Sequence, residues 1–205
     1  MSKILELFPT PVYCSKLEKN ITKKELNFVY KAEKTKILHS KFTKNGRSKN
    51  THVLENSIFK DREKEILKHV MNYFKQVLDV KNLKPKITQS WFTYINTHDH
   101  FPPHLHANSF LSGVFYIKSN NETDSISFYK NPSSGITPNY NNYNIYNSSS
   151  WHLPVNTLDI VIFPSYLQHG INTKVDNNKR ISLAFNVFVE GELGNEYTLD
   201  FLKLR

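Results

Sequence analysis

The chain has 205 residues, of which 39% are hydrophobic and 22% charged, with a formal net charge of +9. That length is enough to bury a sizeable core in one globular unit, and 6 Gly with 9 Pro exclude a low-complexity chain. The lone Cys14 excludes an internal disulfide framework and a cysteine-based zinc site, and it fits a reducing compartment.

Residues 1–14 form an apolar, β-leaning segment with Leu5, Phe8, Val12 and Tyr13. Pro9 and Pro11 break it, so it does not read as a secretory leader, and no apolar run later in the chain reaches bilayer length. The expectation is a cytoplasmic protein without a membrane partner. An edge strand here is available to pair between two copies, as in a homodimer, although nothing in the sequence decides the oligomeric state. Thr22-Lys-Lys-Glu25 has the form of a capping box, and Leu26, Val29 and Tyr30 behind it give a helical stripe. Residues 36–56 are polar and read as loop. Asp61 is placed to cap a second helix, along which Ile66, Val70, Phe74, Val77 and Leu78 recur as a packing face. Much of the lysine excess lies in 16–44 and 60–86. Clustered lysine can serve nucleic acid, but a solvated helical face is favoured, because no aromatic-and-basic recognition motif accompanies it.

From Pro85 the pattern changes. Ile87–Ile95, Phe110–Ile117, Ser125–Tyr129, Leu158–Phe163 and Ile181–Val189 are β-branched and aromatic runs separated by turn-rich loops at 98–103, 119–124, 131–150 and 172–179. The fold class that follows is mainly β with a helical flank: a sandwich or jelly roll supported by N-terminal helices. The chain divides into a strand and supporting helices (1–84), a β core (85–190) and a C-terminal tail (191–205). Residues 139–150, rich in Asn, Tyr and Ser, read as an exposed loop, either an active-site lid or a passive insertion.

Histidines are unevenly distributed. His98, His100, His104 and His106 fall within nine residues, and His169 stands alone later. If the segment is extended, His104 and His106 point to one face and can share a metal; they lead directly into an apolar strand. His98 and His100 flank Asp99 ahead of Phe-Pro-Pro and read as loop. His39, His52, His69 and His152 read as surface residues, and Trp91 as core. On the last long strand Arg180, Ser182, Ala184 and Asn186 share one face, while Ile181, Leu183, Phe185, Val187 and Val189 share the packing face. Two readings of the first face stay open. It is a solvent face, or it is an inward face whose guanidinium demands an anion, best a carboxylate held in bidentate fashion.

His169 followed by Arg180-Ile-Ser182 resembles the distal half of the 2-oxoglutarate/Fe(II)-dependent oxygenases. In that family the distal histidine binds iron, and the Arg and Ser hold the far carboxylate of 2-oxoglutarate. An earlier His-x-Asp or His-x-Glu precedes an apolar strand, the place occupied here by His104-Leu-His106 and Phe110–Ile117. The likeness is closest to a branch found in marine phages and bacteria. It is carried by Leu7-Phe-Pro-Thr-Pro-Val12, Leu111-Ser-Gly-Val-Phe-Tyr116, Phe163-Pro-Ser165 and Arg180-Ile-Ser-Leu-Ala-Phe-Asn186, and it covers most of the chain. It implies a single oxygenase domain on a cupin-like double-stranded β-helix, in the host cytoplasm if the chain is phage-encoded. Fe(II) would be held by His104, His106 and His169, and 2-oxoglutarate would be the cosubstrate at Arg180 and Ser182. Tyr116 and Asn96 are further candidates for the cosubstrate cavity, and Asn186 is a third polar residue able to line it. The activity implied is hydroxylation of an unidentified substrate, with 2-oxoglutarate and oxygen converted to succinate and carbon dioxide. The departure is His106, which stands where the family pattern has a carboxylate; His-x-His is this branch's own form. Asp99 is close but sits wrongly for that motif. The alternative is a cupin-like jelly roll that binds a metal or small ligand without oxygenase activity. It would have no need of Arg180-x-Ser182. Gly113 and Gly170 mark a close backbone approach or a turn.

Overall fold

The computed structural model describes residues 2–39, 45–80, 82–130 and 138–204. In chain order the strands are β1 (Tyr13–Lys16), β2 (Ile37–Leu38), β3 (Gly46–Arg47), β4 (Leu83–Ile95), β5 (Phe101–His104) and β6 (Leu111–Lys118). They continue with β7 (Ser125–Tyr129), β8 (Ser150–Pro154), β9 (Asp159–Pro164), β10 (His169–Ile171), β11 (Arg180–Leu193) and β12 (Leu202–Leu204). Helices α1 (Lys23–Glu33) and α2 (Lys60–Tyr73) precede β4. Among the described residues no helix is long and apolar enough to cross a membrane.

Two antiparallel sheets face each other. The larger runs β1-β9-β6-β11-β4-β3-β2, with β12 added at the end of β11; the smaller runs β5-β10-β7-β8. This is the double-stranded β-helix, and it has two cores. The outer face of the larger sheet packs on the helices through Ile181, Leu183, Phe185, Val187 and Val189 of β11, with Phe92, Tyr94, Phe115, Ile66, Val70 and Phe74. Between the sheets lies a smaller core of Tyr116, Ile126, Phe128, Val155, Val161 and Phe163. β11 is therefore buried on both faces, being flanked by β4 and β6. Its polar face is the inward one: Arg180, Ser182 and Asn186 are 2%, 3% and 7% exposed, which rules out a solvent face.

The helices brace this sheet. Thr22 and Glu25 close the capping box: the Thr22 hydroxyl accepts from the Glu25 N–H, and the Glu25 carboxylate accepts from the Thr22 N–H. Buried Arg62 of α2 reaches both Glu25 (3.1 Å) and Glu65 (2.9 Å) and donates to the carbonyls of Lys19 and Asn20, tying the start of α1 to α2. Several sequence expectations are corrected. Asp61 does not cap α2; the cap position is Phe59, which has no side-chain bond, and Asp61 sits in the first turn, where its charge suits the helix dipole. Val77 turns outward because residues Phe74–Leu78 form a π-helical turn that rotates the apolar face. Tyr30 is exposed, and Phe28 packs in its place. The segment 36–56 contains the β2–β3 hairpin and a 3₁₀ turn at Val53–Glu55 rather than loop alone. His69 is buried, with Nδ1 bonded to the Tyr13 hydroxyl at 2.9 Å. The C-terminal tail adds a strand, β12. Of the Asn-rich segment, 138–149 is a mainly exposed loop leading into β8, and 131–137 lies outside the described residues.

Candidate metal and cosubstrate site

His104 ends β5 and His169 begins β10, and the two are cross-strand partners in the smaller sheet. His106 lies two residues beyond β5, where its backbone N–H donates to the Ser165 carbonyl at 3.1 Å. The three rings converge. Centroid separations are 4.4 Å (His104–His169), 5.0 Å (His106–His169) and 5.2 Å (His104–His106), and one ligand atom from each lies within 4.8 Å of the others. Gly170 permits this closeness. A Cβ there would stand 2.8 Å from the Phe101 carbonyl oxygen, so any side chain would force β5 off β10.

The hydrogen bonds fix how the rings face. Nδ1 of His104 lies 3.0 Å from the Pro102 carbonyl, Nδ1 of His169 lies 3.0 Å from the Leu167 carbonyl, and Nδ1 of His106 lies 2.6 Å from Oδ1 of Asn186. These oxygens only accept, so each Nδ1 carries the proton and each Nε2 offers a lone pair. The Nε2 atoms of His104 and His106 stand 3.3 Å apart. Two lone pairs at that distance repel unless a cation lies between or beside them. Burial pushes the pKa of all three rings down, that of His169 to about 3, against the smaller upward pull of its bond to Leu167. At neutral pH all three are neutral imidazoles, the form that ligates metals.

The triad opens onto a cavity of about 80 Å³ between the sheets. Its inner wall carries Arg180, Ser182 and Ala184 from β11 and Val114 from β6, with Ile126 and Ile171 opposite. The Arg180 guanidinium donates to the Ser125 carbonyl at 2.7 Å and to the Tyr116 hydroxyl at 3.4 Å, and its plane lies over the Tyr116 ring. Its Nε has no partner. Among the described residues no carboxylate comes within ion-pair distance of Arg180. A buried charge left in this state costs several kcal/mol unless an anion completes it. Burial pushes the Tyr116 phenol up to about 12, so it stays protonated; its oxygen accepts from Arg180, and its O–H remains able to donate.

The structure thus brings His104, His106, His169, Arg180 and Ser182 to one cavity and sets Tyr116 directly behind Arg180. Asn96 is different: it belongs to the turn after β4, where its side chain and backbone N–H both bond Asp99, and it does not line the cavity. Asp99 is buried in that turn and is not part of the histidine cluster. Trp91, read from sequence as core, lines the cavity with its ring 5.7 Å from that of His106. His39 is exposed, as the sequence reading has it, and its ring also lines the cavity mouth, edge-on to Phe101 at 4.7 Å; Phe101 in turn lies 4.7 Å from His104. The alternation along β4 places Trp91 and Thr93 on the same face and would have signalled this. The β2–β3 pairing that delivers His39 leaves no comparable signal in so short a strand. His152 is exposed and bonds Ser127.

A family model described as "Putative 2OG-Fe(II) oxygenase" matches residues 89–186, a span that contains the triad, Arg180 and Ser182. Among solved structures the chain is similar to HygX from Streptomyces hygroscopicus with nickel, 2-oxoglutarate and hygromycin B bound. That match has 9% identity and TM-score 0.56 and covers 87% of this chain and 82% of that one. It is similar to a prolyl-4-hydroxylase from Pseudomonas putida (9%, TM-score 0.56, 87% and 92% covered). It is also similar to the epimerase SnoN from nogalamycin biosynthesis (9%, TM-score 0.58, 87% and 78% covered). At such identity the likeness to these structures is one of fold. No curated protein matches the sequence. The family match falls on residues that build the cavity, and the solved structures share its fold.

Proposed function

We propose that this chain is a 2-oxoglutarate/Fe(II)-dependent dioxygenase that hydroxylates an organic substrate while 2-oxoglutarate and oxygen become succinate and carbon dioxide. The observation that carries the reading is Arg180: a buried guanidinium without a protein carboxylate, in the same cavity as three inward-facing neutral imidazoles. Such a cavity has a place for a metal cation and a place for a carboxylate, and a 2-oxo diacid fills both.

His104, His106 and His169 would hold Fe(II) through Nε2, and Arg180 with Ser182 would hold the far carboxylate of 2-oxoglutarate. Iron and cosubstrate together supply the oxidising power that hydroxylation requires. The chain's own residues bind, orient and shield. Arg180 is braced by Ser125 and Tyr116, so its fork is ordered before the diacid arrives. Phe163 packs 4.6 Å from His169, with Phe128 behind it, and closes that side of the triad to water. The Trp91, Thr93 and His39 side of the cavity is left for substrate. A cytoplasmic setting suits both Fe(II) and the free thiol of Cys14. A cupin-like jelly roll that bound a metal alone would leave the guanidinium without an anion to hold.

An anaerobic thermal-shift experiment with Mn(II) as the redox-inert stand-in tests this reading. With 2-oxoglutarate at one hundred times its dissociation constant, the stabilisation is about 2.7 kcal/mol, or roughly 5–10 °C for a chain of this size. The shift should require the metal and vanish in Arg180→Ala. A shift from metal alone, indifferent to 2-oxoglutarate, would replace the oxygenase reading with the cupin-like one.

A further inference from the structure

The three histidines are not held alike. His104 and His169 lean on backbone carbonyls two residues back in the chain. His106 has no such carbonyl, and its Nδ1 is held by side chains: Asn186 Oδ1 at 2.6 Å and Ser112 Oγ at 3.0 Å. Both belong to a row of polar residues that runs from exposed Gln89 through buried Asn186, Ser112 and Ser165 to half-buried Ser109. Asn186 is in register with Gln89 on β4 and Ser112 on β6, and its Nδ2 donates to Gln89 Oε1 at 3.3 Å. Ser112 Oγ lies 2.8 Å from Ser165 Oγ, Ser165 Oγ donates to Ser109 Oγ at 2.8 Å, and Ser109 Oγ donates to the Leu111 carbonyl at 2.8 Å. Ser112 and Ser165 are each 1% exposed.

The carbonyl at the end of this row sets its direction. Ser109 donates to Leu111 and accepts from Ser165; Ser112 then has Ser165 Oγ at 2.8 Å and Asn186 Oδ1 at 3.4 Å as acceptors for its own proton, and with that proton so used it accepts from His106. The Nδ1 of His106 must then carry the proton, and its Nε2 must face the cavity bare. Polar side chains are costly inside an apolar interior unless bonded, and in this arrangement every hydroxyl of the row has a partner. Three short sequence motifs each supply one member: Ser112 from Leu111-Ser-Gly, Ser165 from Phe163-Pro-Ser, and Asn186 from Ala-Phe-Asn.

We propose that Asn186, with the Ser112–Ser165–Ser109 chain, is the positioning device that makes His106 a metal ligand at the place where a carboxylate would otherwise stand. A carboxylate has no tautomer to choose. An imidazole does, and it ligates only if its other nitrogen is held as a donor. The proposal rests on the reading that the triad binds a metal.

Mn(II) affinity of the full-length protein, measured anaerobically from the electron paramagnetic resonance signal of free Mn(II), tests it without turnover. Asn186→Leu should weaken binding roughly 10- to 100-fold with the circular dichroism spectrum unchanged. Asn186→Asp, which keeps shape and acceptor, should retain at least wild-type affinity. Combining His106→Asp with Asn186→Leu should recover most of the loss, because a carboxylate ligand needs no acceptor behind it; a merely structural role for Asn186 predicts no recovery. If Asn186→Leu melts too low to titrate, Ser112→Ala carries the test, with a loss of roughly tenfold expected. Wild-type affinity in a folded Asn186→Leu or Ser112→Ala protein, or no recovery in the double variant, overturns the proposal. Failure of the underlying reading looks different: wild type would then show no Mn(II) binding that His104→Ala removes.

Discussion

Arg180 and Tyr116 show how one position acquires meaning from its surroundings. A guanidinium on a strand is unremarkable when solvated; at 2% exposure, with Nε unbonded, it is an electrostatic demand. Tyr116 meets part of that demand with its hydroxyl and ring face, and Ser125 with its carbonyl, but neither brings negative charge. The geometry of the demand is testable apart from its charge. Arg180→Lys keeps the cation and loses the planar fork, so it cannot meet both oxygens of a carboxylate while still reaching Ser125. One charge-assisted hydrogen bond is worth about 1.5–3 kcal/mol, so 2-oxoglutarate affinity in the presence of Mn(II) should fall roughly 10- to 100-fold by calorimetry, with Mn(II) affinity alone unchanged. Equal 2-oxoglutarate affinity in the two proteins would mean that Arg180 offers only a point charge.

At the scale of elements, the site exists because β5 and β10 lie unusually close. Gly170 faces the Phe101–Pro103 backbone with no room for a methyl group, and His104 and His169 sit on the two strands it joins. Gly170→Ala should separate them by a few tenths of an ångström, destabilise the fold by about 1–3 kcal/mol in urea, and weaken Mn(II) binding. A variant that loses stability but keeps full metal affinity would show that the triad adapts to strand spacing. These elements also explain what could be read beforehand. The long strands were legible because β4, β6, β9 and β11 run five residues or more with strong β-formers, and the two-residue period of β11 separated Arg180 from Ile181 correctly. The His104–His106 pair was legible because its spacing is local. Hydrophobicity alone does not place Trp91, because β4 is covered on both faces from Ser90 to Ile95; the alternation that sets it on one face with Thr93 is the signal that separates cavity from core. His39 is a surface residue, as its sequence context suggests, but its place beside the cavity has no local signature, because the two-residue pairing of β2 with β3 that seats it is set by tertiary contact. The outward turn of Val77 follows from one π-helical turn, which shifts every later residue and which no periodicity anticipates.

For the whole molecule, burying neutral histidines ties stability to pH. His169, His104, His106 and His69 are all pushed below the ordinary imidazole value, chiefly by burial, and His39 is pushed the same way. A depressed folded-state pKa means that the unfolded chain takes up protons first. The contribution is complete above the unfolded value near 6.5 and is lost as pH falls toward the folded value. For His169, with a folded value of about 3, the window runs from about 6.5 down to about 3, at about 1.4 kcal/mol per pH unit from this one ring. The metal-free protein should therefore be equally stable in urea at pH 8 and 7 and clearly less stable at pH 5, by about 2 kcal/mol from His169 alone. Protonation also adds to a net charge already at +9, which pushes the same way. His169→Gln, neutral at every pH, should make that slope shallower by about one proton. Mn(II) should make the wild-type slope steeper, because protons and metal compete for the same Nε2 lone pairs, and should leave the Gln variant less affected. A metal-free protein whose stability stays flat from pH 7 to 5 would mean that the fold does not depress these rings and that they take up protons at pH 5 as the unfolded chain does.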